Sequence, residues 1–250
     1  MEKGMNTYEL GELCLLAGKI MLQSGAETYR VEDTMMRIAR SFGINHPNSY
    51  VTPTGIIFSL CRTEHTKLVR ISKRTTDLNK IIIVNGISRK ISSGEISAAE
   101  AYSFLTKIEK GNLNYPIYVK VLAASIVSGF SLIMFNGGWN DFFSAFLAGG
   151  AGFSCMIFIH RLVDIKFFTE FLAALLIGLL SLFFQNIGFG HDLSNIIVSS
   201  IMPLVPGLLI TSAVRDLMAG HLVSGLSKGA EATLTAFAIG LGIAVVFSLF

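Results

Sequence analysis

Charged residues are scarce in the second half of this 250-residue chain. Residues 117–250 contain only 5 of the 20 Lys and Arg residues and 6 of the 17 Asp and Glu residues. Soluble domains carry about 25% charged residues on average, whereas the whole chain has 15% and is 52% hydrophobic. This scarcity argues against a soluble fold for the second half and predicts two domains, residues 1–116 and residues 117–250.

Features that mark several common functional classes are also lacking. The net charge of +3 comes without a basic run interleaved with aromatic residues, which argues against nucleic acid as a partner. Cys14, Cys61 and Cys155 lie far apart, so neither a disulfide framework nor a metal site is predicted. There is no phosphate loop or HExxH motif, so we predict no catalytic residue, no cofactor and no enzyme.

Long apolar runs fill the second half instead. Each is close to the 20 residues that a helix needs to cross about 30 Å of hydrocarbon. The runs predict five membrane-spanning helices at about 117–137, 141–160, 166–185, 193–213 and 229–250. Pairs of small residues four apart, such as Ala145 with Gly149 and Ala236 with Gly240, predict close packing within this bundle or in an oligomer.

The distribution of basic residues predicts the orientation of these helices. The connections 160–166 and 215–228 contain Arg161, Lys166, Arg215 and Lys228, whereas the connections near 136–141 and 186–192 contain no Lys or Arg. Because basic residues are enriched on the cytoplasmic side, we expect the N-terminus inside and the C-terminus outside.

The fourth predicted span and the connection after it contain the membrane-half site candidates. Pro203 and Pro206 remove backbone donors near the middle of the span, and Gly207 adds backbone freedom. Broken helices in transporters often line a substrate site, although a simple kink in a packed bundle is an equally good interpretation. The candidates for a substrate path or gate in this half are Pro203, Pro206, Gly207, Asp216, Ser224, Gly225 and Glu231.

The first 116 residues predict an α+β domain. Apolar periodicity predicts helices over 7–23 and about 26–42, and short apolar runs predict strands at 55–61 and 66–72, joined near 62–65. Asp77 is predicted to cap a helix over about 78–91 that is interrupted near 85–86. Ser97 and Glu100 form a predicted capping box for a last helix to about 109.

The stretch SGAETYRVE at 24–32 concentrates charge within this domain. Ser24 and Glu27 have capping-box spacing, and Glu27 with Arg30 has the spacing of an ordinary surface ion pair. This interpretation leaves Arg30 and Glu32 without a structural reason. Glu27, Arg30 and Glu32 are therefore the candidates for ligand handling in the N-terminal half.

Three motifs together resemble the threonine/serine exporter family. They are SGAETYRVEDTM at 24–35, TPTGIIFS at 52–59, and PLVPGLLITSAVRDLMAGHLVSGLSKGAEA at 203–232. The resemblance implies a cytoplasmic N-terminal domain followed by membrane helices. It also implies export of small polar metabolites, either threonine- and serine-type amino acids or a dicarboxylate such as succinate, across the bacterial inner membrane. The chain is similar to half-size members, which implies a separate small membrane subunit or a homo-oligomer.

Three functions remain open from the sequence. The first is a secondary exporter subunit in which the broken span, residues 216–225 and Glu231 form the route. The second is a membrane-tethered enzyme that uses Glu27, Arg30 and Glu32 on a cytoplasmic substrate. The third is a regulatory subunit whose N-terminal domain gates a partner.

Overall fold

The computed structural model describes residues 6–61, 65–111, 115–163 and 165–249. Its elements divide into two compact units, one of residues 1–114 and 209–229 and the other of residues 115–208 and 230–250. The first unit therefore includes a segment from near the end of the chain, which the sequence pattern assigned to the membrane half. The domain boundaries 1–116 and 117–250 stay a prediction.

The first unit combines helices with a small antiparallel sheet, as the sequence predicts. Its elements are α1 (Thr7–Gln23), α2 (Thr28–Ser41), β1 (Asn48–Thr52), β2 (Gly55–Ser59), β3 (Lys67–Arg70), α3 (Leu78–Ser92) and α4 (Ala98–Lys110). The core is formed largely by α1, where Leu13, Cys14, Ala17 and Met21 are completely buried. Burial raises the pKa of the Cys14 thiol to about 12, which suits a packing residue and not a reactive one.

The sheet has the order β1-β2-β3, with Val51 opposite Ile56 and Ile56 opposite Val69. Its buried face presents Val51, Ile56 and Phe58 to the helices. The predicted strands at 55–61 and 66–72 are confirmed with shorter bounds, whereas residues 62–64 of the predicted connection lie outside the described residues. β1 was missed because Val51 is its only buried side chain and gives no alternating pattern.

The helix ends of this unit follow local chemistry. The capping box of Ser97 and Glu100 is confirmed, and the Asp77 side chain accepts from the Lys80 amide at 3.1 Å. The predicted interruption of α3 near 85–86 is wrong, because α3 is continuous from Leu78 to Ser92. Gly111 follows the end of α4, and the predicted end of this helix at about 109 is confirmed to within one residue.

The second unit is helical in its described part. Its elements are α5 (Ile117–Met134), a 3₁₀ turn (Trp139–Asp141), α6 (Phe142–Leu162), α7 (Lys166–Asn186), α8 (Leu193–Ser200) and a 3₁₀ turn (Met202–Leu204). The helices α9 (Gly207–Met218) and α10 (Leu222–Leu249) have residues in both units. Among the described residues, four helices are long and apolar enough to cross a membrane, and a fifth span results if the bent pair 193–204 and 207–218 counts as one.

The predicted fourth span at 193–213 is not one helix. α8 ends at Ser200, because Pro203 has no amide hydrogen with which to continue the helical ladder, and the chain bends by 60° before α9. The predicted connection 215–228 is also wrong as a loop, because α9 runs to Met218 and α10 begins at Leu222. Gly220, with φ of +86°, makes the tight turn between the two helices.

Small residues allow close helix packing inside the second unit. A Cβ on Gly149 would overlap Ser128 Oγ, and one on Gly152 would overlap Ile177 Cγ1. These positions therefore pack within the bundle, as one of the predicted alternatives states. Gly240 differs, because a Cβ there would meet nothing within 4 Å.

Candidate functional site

A buried ion pair lies at the centre of the polar residues of the first unit. Asp216 of α9 is fully buried, and its Oδ2 accepts from Lys228 Nζ of α10 at 2.8 Å. Lys228 is 4% exposed and also donates to the Ala26 carbonyl at 3.3 Å. Buried charges are tolerated only when they are paired and hydrogen-bonded, and both conditions hold here.

Asp216 also caps the start of α2. Its Oδ1 accepts from the Thr28 amide at 2.9 Å, and its Oδ2 accepts from the Thr28 hydroxyl at 3.0 Å. Helix N-termini leave amide hydrogens without partners and favour a negative charge. A carboxylate from a segment 188 residues away thus supplies the cap that the local sequence was expected to provide.

The turn between α9 and α10 brings Asp216 and Lys228 together. The His221 amide donates to the Asp216 carbonyl at 2.9 Å, next to the positive φ of Gly220. A Cβ on Gly225 would lie 2.5 Å from Leu217 Cγ and 2.9 Å from the Ala213 carbonyl oxygen. Glycine at this position therefore permits the close approach of the two helices.

Glu27 connects the same two segments through a second set of ion pairs. Its Oε1 accepts from Arg215 Nη1 at 2.7 Å, and its Oε2 lies 3.3 Å from Arg30 Nε. Burial opposes ionisation of this carboxyl, but its own backbone amide, Arg215 and Arg30 together hold the pKa of Glu27 below its ordinary value. Its side chain is only 9% exposed, so this is not the surface pair predicted from the spacing.

The predicted capping box of Ser24 and Glu27 is wrong. Ser24 ends α1, and Glu27 lies at the N-cap of α2 without a side-chain cap bond. Gly25, with φ of +88°, separates the two helices. The capping box does not form because the Glu27 carboxylate pairs with two guanidinium groups. Asp216 caps the start of α2 instead.

Glu32 belongs to a third contact in this cluster. Its Oε1 accepts from the Val51 amide at 2.8 Å, and its Oε2 lies 3.8 Å from His221 Nε2. Burial, assisted by the nearby Asp216, raises the pKa of Glu32 above its ordinary value, although Val51 and His221 oppose the rise. Ser224 Oγ donates to the Val51 carbonyl at 3.4 Å, so α10 also contacts β1.

The structure thus brings part of the predicted site together. The predicted residues that meet in the first unit are Glu27, Arg30, Glu32, Asp216, Ser224 and Gly225. The predicted residues that belong to the second unit are Pro203, Pro206, Gly207 and Glu231. Sequence reasoning missed Thr28, Arg215, His221 and Lys228 as site residues. Arg215 and Lys228 were used only to predict the orientation of the helices. The signal that could have shown more is that Asp216 and Lys228 stand on either side of a glycine-containing turn, which is compatible with an ion pair.

A groove of about 430 Å³ lies in the second unit beside the helix break. Pro206 and Val205 of the break line it together with Ala236 and Gly240 of α10, and Ser194 is the one polar residue among the described residues of its lining. This surface is apolar, so it offers lipid or an apolar side chain a better match than a charged metabolite. Within the part of the chain that the structure describes, no three His, Cys, Asp or Glu side chains group as they would around a metal ion.

Several apolar helices and a separate charged unit define a multi-pass membrane protein. Comparison with known proteins then identifies its relatives. The profile of the threonine/serine exporter family matches residues 12–250, and the chain belongs to this family. Membership confirms that it is a membrane exporter and not an enzyme.

Individual relatives differ in length and in the substrate that their names give. The chain is 24% identical over 243 residues to "Probable succinate transporter subunit YjjP" of Klebsiella aerogenes, covering 95% of this chain and 92% of that one. It is 23% identical to the threonine/serine exporter of Corynebacterium glutamicum and 22% identical to "Probable threonine/serine exporter" of Mycobacterium tuberculosis. These matches cover 90% and 96% of this chain, which spans only 49% and 46% of the two exporters. No solved structure matches the chain.

Proposed function

We propose that this protein is an inner-membrane secondary transporter subunit that exports small polar metabolites. The cargo would be threonine- and serine-type amino acids or a dicarboxylate such as succinate, as the names of the relatives suggest. The observation that carries the proposal is the buried cluster around Asp216 and Lys228. It joins two of the three segments that resemble the exporter family, because Thr28 bonds to Asp216, and Ser224 contacts Val51, which directly precedes the remaining segment.

The cluster would act as a gate. α9 follows the helix break, and α10 continues into the apolar segment, so both helices that carry the ion pair also contribute residues to the membrane half. Opening the Asp216–Lys228 pair would release the turn between them and alter the start of α2. Proton coupling would suit such a gate, since one elementary charge crossing the membrane is worth about 2.3 kcal/mol per 100 mV.

The route would pass the helix break at Pro203, Pro206 and Gly207, with Glu231 in the third turn of α10 and not at its start, where the sequence pattern placed it. The apolar lining of the groove at this break supplies little for a polar cargo to bind. A partner subunit would therefore complete the route. Two facts support a partner: the chain spans about half of the threonine/serine exporters, and the relative of equal length is named as a subunit.

We propose that the first unit lies in the cytoplasm and the C-terminus outside. The basic residues of 215–228 belong to this unit, whereas the opposite connections near 136–141 and 186–192 lack Lys and Arg. These two connections are tied by Asp141, which accepts from the amides of His191 at 2.7 Å and Asp192 at 3.0 Å. Cysteine labelling of intact cells at Ser93 and Asn186 would test the orientation, and the proposal requires that only the second position react from outside.

Transport in liposomes tests the function itself. Liposomes containing the purified chain, with and without a candidate membrane partner subunit, would be loaded with labelled threonine, serine or succinate. We expect efflux of at least one of them with both subunits, and its loss in the variant Lys228→Met. Arg37→Gln, which removes a pair with Asp33 and two long contacts with Asn85 and Ser88 of α3, is the control and should retain efflux. Absence of efflux for all three cargoes would contradict the proposal, and binding without efflux would favour a regulatory subunit.

A further inference from the structure

We propose that the guanidinium groups of Arg30 and Arg215 form a binding site for a carboxylate. The inference rests on the proposed function to the extent that the carboxylate would belong to the exported metabolite. Amino acids and dicarboxylates share this group, so the site would recognise a feature common to both cargo classes. Within the described residues, it lies wholly inside the first unit.

The first argument is the charge of the cluster. Asp216 is matched by Lys228, and Glu32 accepts from the Val51 amide and contacts neither arginine. Glu27 has one negative charge but contacts two guanidinium groups. A stabilising ion pair needs only one cation, so the second arginine gives this part of the cluster a surplus positive charge.

The second argument is the geometry of the donors. The contacts to Glu27 use Nη1 of Arg215 and Nε of Arg30, and each guanidinium carries five N–H donors. The side chains of Arg30 and Arg215 are 38% and 59% exposed, whereas Glu27 is nearly buried beneath them. Glu27 therefore fixes the two groups from the protein side and leaves other donors accessible from solvent.

The third argument is chemical fit. A planar guanidinium matches the two oxygens of a carboxylate in a fork arrangement, and charge-assisted bonds of this kind are among the stronger hydrogen bonds in proteins.

The test is equilibrium binding to the full chain in lipid nanodiscs, measured by calorimetry. Succinate, serine and threonine are compared with succinamide and serinamide, which lack the carboxylate. We expect the acids to bind and the amides to bind at least about 10-fold more weakly, equivalent to about 1.4 kcal/mol. If succinate is the only acid that binds, the cargo class is a dicarboxylate. If only serine and threonine bind, the cargo class is an amino acid.

Substitutions separate binding from a purely structural role. Arg30→Gln and Arg215→Gln should each weaken acid binding by roughly 10-fold, since a hydrogen bond to a charged group is lost. Glu27→Gln should strengthen binding, because the carboxamide oxygen can still accept from an arginine while the negative charge that competes for both arginines is removed. A structural ion pair would show no such gain. Arg37→Gln on the same helix is the control and should leave the affinity unchanged.

Thermal unfolding of each variant shows whether it is folded, and Arg215→Lys provides a milder replacement that retains the charge. Unchanged affinity in all folded arginine variants, equal binding of acids and amides, or no acid binding by the unmodified chain would each overturn the inference. Transport that persists with unchanged affinity in these variants would leave the proposed function intact and refute only this site. Binding of the acids without transport would support this site and contradict the proposed function.

Discussion

Replacing Lys228 by methionine would remove the cation from the most deeply buried ion pair of the first unit. Asp216 would keep its hydrogen bonds from the Thr28 amide and hydroxyl but would lose its counter-charge. The converse change, Asp216→Asn, would leave the Lys228 ammonium with the Ala26 carbonyl. The double variant removes both charges, and the introduced amide oxygen can still accept from the Thr28 amide.

The expected sizes follow from burial. Removing one partner of a buried pair costs about 3–5 kcal/mol, whereas removing both is often close to neutral. For a chain of this length, 1 kcal/mol shifts the melting temperature by about 2–4 °C. Each single variant should therefore melt roughly 10 °C lower, and the double variant should recover most of that loss. The exposed pair of Asp33 and Arg37 should contribute about 0.5 kcal/mol or less.

The assay is thermal unfolding of the purified full chain in detergent, followed by the loss of the monodisperse peak in size-exclusion chromatography. All four proteins of the cycle are measured together with Asp33→Asn as a control. If the loss in the double variant equals the sum of the two single losses, the pair is not coupled and the geometry of the cluster has been misinterpreted.

Three further predictions concern other parts of the molecule. Glu27→Gln should destabilise the first unit at neutral pH; because the folded pKa of Glu27 is depressed, this loss of stability disappears once the pH falls below that pKa and the carboxyl is protonated. Glu32→Gln should stabilise the first unit at neutral pH, because burial raises the pKa of that carboxyl and disfavours its ionised form. Unfolding curves between about pH 2.5 and pH 8 would measure both, and effects of equal sign at neutral pH would refute the assignment. Gly225→Ala should cost about 1–3 kcal/mol through its clash with the preceding helix, whereas Gly229→Ala one turn later has open space and should be neutral or stabilising. Gly240→Phe should fill the apolar groove and abolish co-purification of a partner subunit without lowering the melting temperature, and retained association would exclude this groove as the contact.

Local patterns predicted the helices and the apolar spans well, because their causes lie within a few residues. The periodicity of α1, the capping box before α4 and the apolar lengths of α5 to α7 are examples. Strand β1 was missed because a five-residue edge strand with one buried side chain has almost no local signal. The bent fourth span shows the same limit, since Pro203 marks the break but not the helix that follows.

The cluster could be predicted only in part because its partners are far apart in sequence. The sequence spacing pairs Glu27 with Arg30 at i,i+3, so nothing in the local sequence indicates that Glu27 also pairs with Arg215. Capping rules likewise favour the nearest serine, and Ser24 was preferred to Asp216 for that reason. The family resemblance included both segments without indicating that they touch, and only the folded chain supplies the contact between Thr28 and Asp216.

The position of the charged residues has a consequence for mechanism. A carboxylate and an ammonium in hydrocarbon are costly, and in many transporters such groups line the route itself. Here Asp216 and Lys228 belong to the unit that contains residues 1–114, while the helix break and its groove are apolar. Selection of a polar cargo would therefore occur in the first unit, where Arg30 and Arg215 are, and passage would occur elsewhere. This separation predicts two kinds of variants: those at Arg30 and Arg215 should change the apparent affinity for the cargo, and those at Pro203 and Pro206 should change its maximal flux. Concentration series of efflux in liposomes would measure both, and a change of flux without affinity at the arginines would refute the separation.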